Sequence, residues 1–243
     1  RRRVALPTYA FQRRSYWPTA AVRNTGDPTE LGLTPSDHPL LGAAVTLDDD
    51  ATLFTGQLSL HRDPWLVSPS VDDGDTPVPD HGEAKTVLPA VPVELALHAA
   101  HHVGLDHIDE LTLHHPLVLP TSGLASIRVL VSPPGTTGAR SVTVSSKSGD
   151  PDSPDSWVRN ASATIDDVTG SSAQVPQQDP GDTETEVRLG DGVDTSGFGI
   201  HPVLLQAAIE PLLGWDGWPQ TWSGIRLHTV GADAVTARFT PGD

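Results

Sequence analysis

The sequence predicts an α+β fold in which several strands wrap around one buried helix. Two observations predict it. The segment that begins after Pro92 is apolar nearly all round, which is typical of a helix buried on every side. Short segments on both sides of it alternate or run apolar in the manner of strands. The chain has 243 residues, enough for one large domain or two modest ones with a sizeable core.

The elements of the first part follow in order. The helix is expected over about 93–100, with Pro92 in its first turn and Gly104 as its C-terminal cap. Strands are predicted at 52–60, 127–131, 141–145 and 157–165. A Pro-Gly turn region joins the second and third of these strands, which we therefore expect to pair.

After this part the composition changes. Residues 166–184 are polar and rich in Gly, Ser, Gln, Pro and Asp, which predicts a loosely ordered connector. Strand candidates follow at 184–189, 222–227 and 234–239, together with a helix that His201 opens. A second sheet with its own helix needs on the order of 80 to 100 residues, and only 59 remain from Thr185. The last part is therefore too short for a complete second sheet of this kind.

The charge balance excludes several function classes. Lys plus Arg number 15 against 31 Asp plus Glu, a formal net charge of -16, which disfavours nucleic acid and anionic membranes as partners. The absence of Cys excludes disulfides and thiolate chemistry and fits a reducing cytoplasm. The absence of Met indicates a piece of a longer chain. No apolar run approaches the ~20 residues of a membrane helix.

Residues 1–36 predict an extended linker. Tyr9, Phe11, Tyr16 and Trp17 give it a heavy aromatic load without a helical period. If it stayed exposed, such a segment would form a hydrophobic patch prone to association, so we expect it to lie against a neighbouring domain. The arginines at the start of the chain leave a nuclear signal or a lipid-binding arm open as alternatives.

Several motifs resemble the dehydratase domains of modular polyketide synthases. Residues 6–17, Leu-Pro-Thr-Tyr-Ala-Phe-Gln-Arg-Arg-Ser-Tyr-Trp, resemble the segment that follows the acyltransferase, and 38–42, His-Pro-Leu-Leu-Gly, resemble the opening turn. Residues 198–209, Phe-Gly-Ile-His-Pro-Val-Leu-Leu-Gln-Ala-Ala-Ile, resemble the second active-site motif, where His-Pro-x-Leu-Leu-Asp-Ala opens a helix.

The resemblance implies a double-hotdog fold, and against it we expect the second hotdog to be incomplete here, by internal deletion, by truncation at Asp243, or by both. The corresponding domains are a post-acyltransferase linker at 1–36, an N-terminal hotdog at 37–165, a connector at 166–184 and a partial C-terminal hotdog at 185–243. The family's Tyr-Gly-Pro-x-Phe stretch is missing between Ile165 and His201. That departure favours an internal loss and puts the substrate tunnel in doubt.

The resemblance also places the catalytic acid. In the family the Asp of the second motif helps the β-hydroxyl of an acyl chain to leave as water, and the matching residue here is Gln206. An amide can hold a hydroxyl but has no proton to give near neutral pH. Glu210, four residues later on the same helix face, is a possible substitute, although an exposed Glu near a helix end is the favoured interpretation.

The family's catalytic base is a His that follows a Trp-Leu pair. Two alignments compete for it. Counting forward from Trp65 and Leu66 puts Pro69 at its position, whereas counting backward from Leu88-Pro89 puts His81 there. The second alignment is favoured, but the Gly of the family's His-x-x-x-Gly-x-x-x-x-Pro motif is then absent. We therefore expect no intact catalytic residue, only relic positions at His81 and Gln206.

Further histidines suggest other sites. His98 and His102 would share a helix face, near His101 and His107, but no third-ligand pattern indicates a metal. His114 and His115 precede Pro116-Leu-Val-Leu-Pro, which resembles a structural segment of the family.

The function implied is that of a catalytically inactive, dehydratase-like structural domain of a polyketide synthase. An active dehydratase, isomerase or cyclase, and a binding domain for the acyl chain or carrier protein, remain alternatives. The implied partners are the acyl carrier protein, ketosynthase, acyltransferase and ketoreductase domains of one module in a homodimeric parent. No cofactor is expected in this domain; phosphopantetheine belongs to the carrier protein.

Overall fold

A computed structural model describes residues 28–67, 84–120, 123–148, 156–167, 183–190, 192–210 and 220–239. The two helices within these ranges are α1 (Ala90–His102) and α2 (Pro202–Ile209). The strands are β1 (Thr34–Pro35), β2 (Ala43–Thr46), β3 (Thr52–Leu58), β4 (Ala84–Thr86), β5 (His107–Leu113), β6 (Val118–Pro120), β7 (Ala125–Val131), β8 (Arg140–Ser148), β9 (Val158–Asp166), β10 (Thr183–Arg188), β11 (Thr221–Arg226) and β12 (Ala234–Phe239). Short 3₁₀ helices lie at Pro28–Leu31 and Pro64–Leu66.

The main sheet has eight antiparallel strands in the order β1-β2-β3-β7-β8-β9-β5-β11. It wraps around α1, which packs on β5, β7, β8 and β9. The core between them contains Phe54, Leu95 and Ile127, none of which is exposed. The α+β hotdog prediction is confirmed.

The buried helix was correctly predicted, and it is longer than its apolar run suggested. It begins at Ala90, directly after the N-cap Pro89, so Pro92 lies within the first turn as expected. It ends before Gly104, whose φ of +81° is the left-handed conformation that glycine favours after a helix. From Ala90 to Ala100 every side chain except that of His98 is buried.

The opening turn 38–42 brings the chain into the sheet. Its N–H at Leu41 donates to the carbonyl of His38 at 3.1 Å, and Gly42 donates to Thr55 at 2.8 Å. Gly56 faces this turn so closely that a Cβ would overlap the carbonyl oxygen of Leu40. A side chain at position 56 would therefore displace the turn.

The predicted strand pair on either side of the Pro-Gly turn region is confirmed. β7 and β8 are antiparallel neighbours, with Val129 opposite Val144. The sequence analysis missed β1, β2, β4, β5 and β6. β5 was considered only for its first residue, His107, yet Ile108 and Leu111 are both buried in it.

The strands predicted in the last part are present, but they belong to two different sheets. β10 and β12 form a two-stranded sheet of their own, which packs on α2. β11 instead joins the main sheet beside β5. The two parts of the chain therefore share one sheet as well as the contact of α1 with α2.

Some predictions lie outside the described residues. These are the aromatic linker at 6–17, the alternative base positions Pro69 and His81, and the interior of the connector at 166–184. Residues 28–36, assigned to the linker, contain a 3₁₀ helix and β1, which pairs with β2.

Candidate functional site

The helix that carries Gln206 begins at a buried histidine. His201 is 1% exposed, and its Nδ1 accepts a hydrogen bond from the N–H of Val203 at 3.3 Å. This contact satisfies one of the free N–H groups at the start of α2, and Pro202 at the first helical position loses nothing by lacking an N–H. Burial lowers the pKa of His201, so its ring stays neutral.

Aromatic contacts join this helix start to the Trp-Leu segment that precedes the expected base. The ring centroid of Trp65 lies 4.7 Å from that of His201 and 5.8 Å from that of Phe198. Phe198 and His201 are themselves 4.8 Å apart. The structure thus brings the Trp-Leu segment and the start of α2 together, whereas His81 and Pro69 lie outside the described residues.

A cavity of about 220 Å³ adjoins this cluster. One side of the cavity is lined by Trp65, His201, Val203 and Ala207. The other side is lined by the end of β10 and the residues that follow this strand. Arg188 is the ionisable residue of β10 in this lining.

Gln206 is in the middle of α2, and its side chain is only partly exposed. Its Oε1 is buried and has no hydrogen-bond partner among the described residues. An unpaired buried amide oxygen costs free energy, and none of these residues offsets that cost with a hydrogen bond. Glu210, the possible substitute carboxylate, is exposed at the C-cap of α2.

A buried polar cluster lies at the other side of Phe198. The Nε2 of His38 is 2.6 Å from Oε2 of Glu94, and both side chains are fully buried. Oε1 of Glu94 accepts a hydrogen bond from the N–H of Gly199 at 3.1 Å. Sequence analysis missed this cluster. Glu94 could have been noticed as the one charged residue in the apolar run of α1, because a carboxylate there needs buried donors.

His98 packs on the same cluster. Its ring centroid is 4.6 Å from that of His38 and 5.8 Å from that of Phe54, and within the described ranges its buried Nε2 has no hydrogen-bond partner. Burial is the main cause that lowers the pKa of His98 to about 3; nearby His38, His102 and His101 lower it further. His98 is therefore a neutral packing residue.

Three further histidines, His107, His114 and His115, make structural contacts. His107 Nδ1 lies 2.6 Å from Asp166 Oδ1, and His114 Nε2 lies 2.7 Å from Ser162 Oγ. His115 Nδ1 lies 3.2 Å from the carbonyl of Arg159. The described part of the chain contains no cluster of three or more His, Cys, Asp or Glu that could hold a metal ion.

Comparison with known proteins identifies the family. The profile of the "Polyketide synthase dehydratase domain" matches residues 38–147. The structure titled "Crystal structure of fusion DH domain" is 31% identical, with a TM-score of 0.71 over 88% of this chain and 87% of that one. The chain belongs to the polyketide synthase dehydratase family. The dehydratase domain from the terminal module of the rifamycin polyketide synthase is 29% identical, with a TM-score of 0.71, and the match covers 87% of this chain and 89% of that one.

Curated relatives of this dehydratase-family chain are much longer proteins. Polyketide synthase GfsE of Streptomyces halstedii is 36% identical over 99% of this chain and 7% of the relative. The spectinabilin polyketide synthase system protein NorA' of Streptomyces orinoci is 34% identical over 99% of this chain and 8% of the relative. The chain thus spans under a tenth of either relative.

The alignment with GfsE also shows residues that this dehydratase-family chain lacks. It extends over 293 positions, whereas 99% of this chain is about 241 residues. At least about 52 aligned positions therefore have no residue here.

Within the described ranges, no helix is long and apolar enough to cross a membrane.

Proposed function

We propose that this chain is a dehydratase-like domain that does not dehydrate and is retained for the architecture of a modular polyketide synthase. The observation that carries the proposal is Gln206, an amide on α2 at the position where the family motif has a carboxylic acid. Elimination of water requires a base for the α-proton and an acid for the leaving β-hydroxyl. Losing one member of such a cooperating pair removes most of the rate.

No neighbouring residue on α2 replaces the acid. Glu210 is exposed at the helix C-cap. His201 uses its Nδ1 as the helix cap, and the lowered pKa keeps its ring neutral. A neutral imidazole N–H is far too weak an acid to protonate a leaving hydroxyl near neutral pH.

The length difference from relatives supports the same conclusion. At least about 52 positions of the GfsE alignment are unfilled, and the described strands of the last part form only a two-stranded sheet plus β11. The resemblance puts the base in the first hotdog and the acid on α2, so a reduced second hotdog would leave one side of the site incomplete.

The proposed parent is a homodimeric synthase in which this domain neighbours the ketosynthase, acyltransferase, ketoreductase and acyl carrier protein domains. Phosphopantetheine on the carrier protein presents the growing chain, and the present domain holds no cofactor. We assign the contact with these neighbours to Tyr9, Phe11, Tyr16 and Trp17, which lie outside the described residues, because their sequence has a heavy aromatic load.

The direct test is turnover of a 3-hydroxyacyl thioester, followed as formation of the enoyl product. An active polyketide synthase dehydratase domain serves as the positive control. We expect no product above the uncatalysed background from this chain, nor from Gln206→Asp, because the wall of the site is also reduced. Turnover by the unaltered chain would refute the proposal.

A second test uses the parent synthase. Deleting the whole domain should lower the yield of polyketide, whereas His81→Ala combined with Gln206→Ala should change neither yield nor product. A product from the double variant that keeps a β-hydroxyl, or has a moved double bond, where the original product does not would show that the site is active. A lower yield of the same product from that variant would favour a domain that binds the acyl chain without turnover.

A further inference from the structure

The carboxylate of Glu94 lies between the two parts of the chain. It is in α1, the central helix of the first part, and its two oxygens have different partners. Oε2 faces His38 in the opening turn at 2.6 Å, and Oε1 faces the N–H of Gly199, in the loop that leads into α2, at 3.1 Å. Neither Glu94 nor His38 is exposed, so both contacts are shielded from water.

The second ring nitrogen of His38 fixes where its proton lies. Nδ1 accepts a hydrogen bond from the N–H of Leu40 at 3.1 Å, so this nitrogen has a lone pair and no proton. The ring proton is therefore on Nε2 and points at Glu94. Glu94 thus receives two hydrogen bonds, one from the His38 ring in the first part and one from a backbone amide in the last part. Both donors are needed, because a buried carboxylate with a missing donor is strongly destabilised.

The loop at Gly199 has little freedom to make this contact in another way. Gly197 has a φ of +80°, and a Cβ there would overlap the carbonyl oxygen of Asp37. At Gly199 a Cβ would come within 2.7 Å of the Leu227 side chain. Phe198 between them packs edge-on against His38, with ring centroids 5.2 Å apart. The loop therefore fits closely against the opening turn and places its amide on Glu94.

We propose that Glu94 is a positioning residue that fixes α2, and with it Gln206, against the first hotdog. The coupling passes from His38 through the Glu94 carboxylate to Gly199 and from there into the N-cap His201. The proposal is independent of whether the domain turns over, because it concerns the placement of α2 and not its chemistry.

Glu94→Gln is the decisive variant, because it keeps the size of the side chain and replaces one acceptor with a donor. The new amide group would face either the Nε2–H of His38 or the N–H of Gly199. The other tautomer of His38 offers no escape, since its Nδ1–H would meet the N–H of Leu40. Hydrogen exchange on the folded protein should then be faster in α2 by on the order of 10-fold to 100-fold relative to the β7–β8 ladder.

Val93→Ala is the matched control. Val93 is the preceding residue of α1 and is 1% exposed, but it has no polar contact to offer. Its truncation should speed exchange in α2 and in β7–β8 alike. Fluorine NMR of 5-fluorotryptophan-labelled protein provides a second measurement. The Trp65 signal, assigned through Trp65→Phe, should shift or broaden in Glu94→Gln and stay in place in Val93→Ala, because Trp65 packs on Phe198 and His201.

Glu94→Asp is measured in the same way and decides the question if Glu94→Gln does not fold. The shorter carboxylate keeps the charge but cannot reach both donors. In whichever variant folds, hydrogen exchange that is faster in α2 but not in β7–β8 supports the proposal. Unchanged exchange, or equal acceleration in α2 and β7–β8 as in Val93→Ala, overturns it.

Discussion

Replacing His98 with Gln should remove a defined part of the pH dependence of stability. In the folded protein burial lowers the pKa of His98 to about 3, from 6.5 in an unfolded chain. Between these two values the unfolded chain binds a proton at this residue and the folded chain does not. The free energy of unfolding therefore falls as the pH decreases from above 6.5 toward 3.

The size of the effect follows from the same two pKa values. Between about pH 7.5 and about pH 5.5 the folded ring stays neutral, whereas the unfolded ring changes from about 10% to about 90% protonated. The corresponding linkage amounts to about 1.4 kcal/mol. The unaltered protein should lose about this much more stability over the interval than His98→Gln loses.

Urea unfolding at several pH values measures this difference directly. Every other titrating group is common to the two proteins, so subtracting their pH profiles isolates His98. Val93→Ala, which removes apolar contact without removing a titratable group, should keep the slope of the unaltered protein. Equal slopes for the unaltered protein and His98→Gln would refute the idea that burial excludes the proton from this ring.

Three further outcomes follow from packing and capping. Phe54→Ala should lower the free energy of unfolding by about 3 to 5 kcal/mol, because Phe54 is fully buried between β3 and α1, and calorimetry would show a smaller loss for Phe54→Leu. Gly56→Ala should prevent or strongly impair folding through its clash with the Leu40 carbonyl, whereas Gly42→Ala, whose Cβ would meet nothing nearer than 3.9 Å, should be tolerated in a thermal melt. His201→Ala should cost about 1 to 2 kcal/mol in chemical denaturation through loss of the α2 cap, and His201→Asn, which keeps an acceptor, should recover part of it; equal losses would contradict a capping role.

The elements that were predicted correctly from the sequence are those whose own residues have a clear helix or strand pattern. The apolar run of α1 needs no knowledge of its neighbours, and Gly104 marks its end. The strands β7 and β8 likewise have a β-branched pattern and a turn between them. Strand β5 was missed because its sequence, His-Ile-Asp-Glu-Leu-Thr-Leu, includes two exposed carboxylates, and its role depends on β9 and β11 on either side.

The candidate site was only partly predictable for a related reason. Gln206 and the start of α2 were located by a local motif, and the structure agrees on the helix. The contact of Glu94 with Gly199 joins residues 105 positions apart, so the sequence can mark Glu94 as a lone charge in an apolar run but cannot identify its partner. His38 was likewise read as part of a turn motif, whereas its ring also supplies a buried donor to Glu94.

The position of β11 in the main sheet has a consequence for synthesis on the ribosome. Strands β1 to β9 of this sheet can all pair once the chain has been made as far as Asp166, but one edge of β5 then remains open. Its final neighbour, β11, emerges only with residues Thr221–Arg226. During that interval the nascent chain presents an unpaired strand edge, the feature through which partly folded β proteins associate with one another. Because closing this edge joins segments so distant in the chain, we expect it to be the slow step of folding and the one most helped by a chaperone.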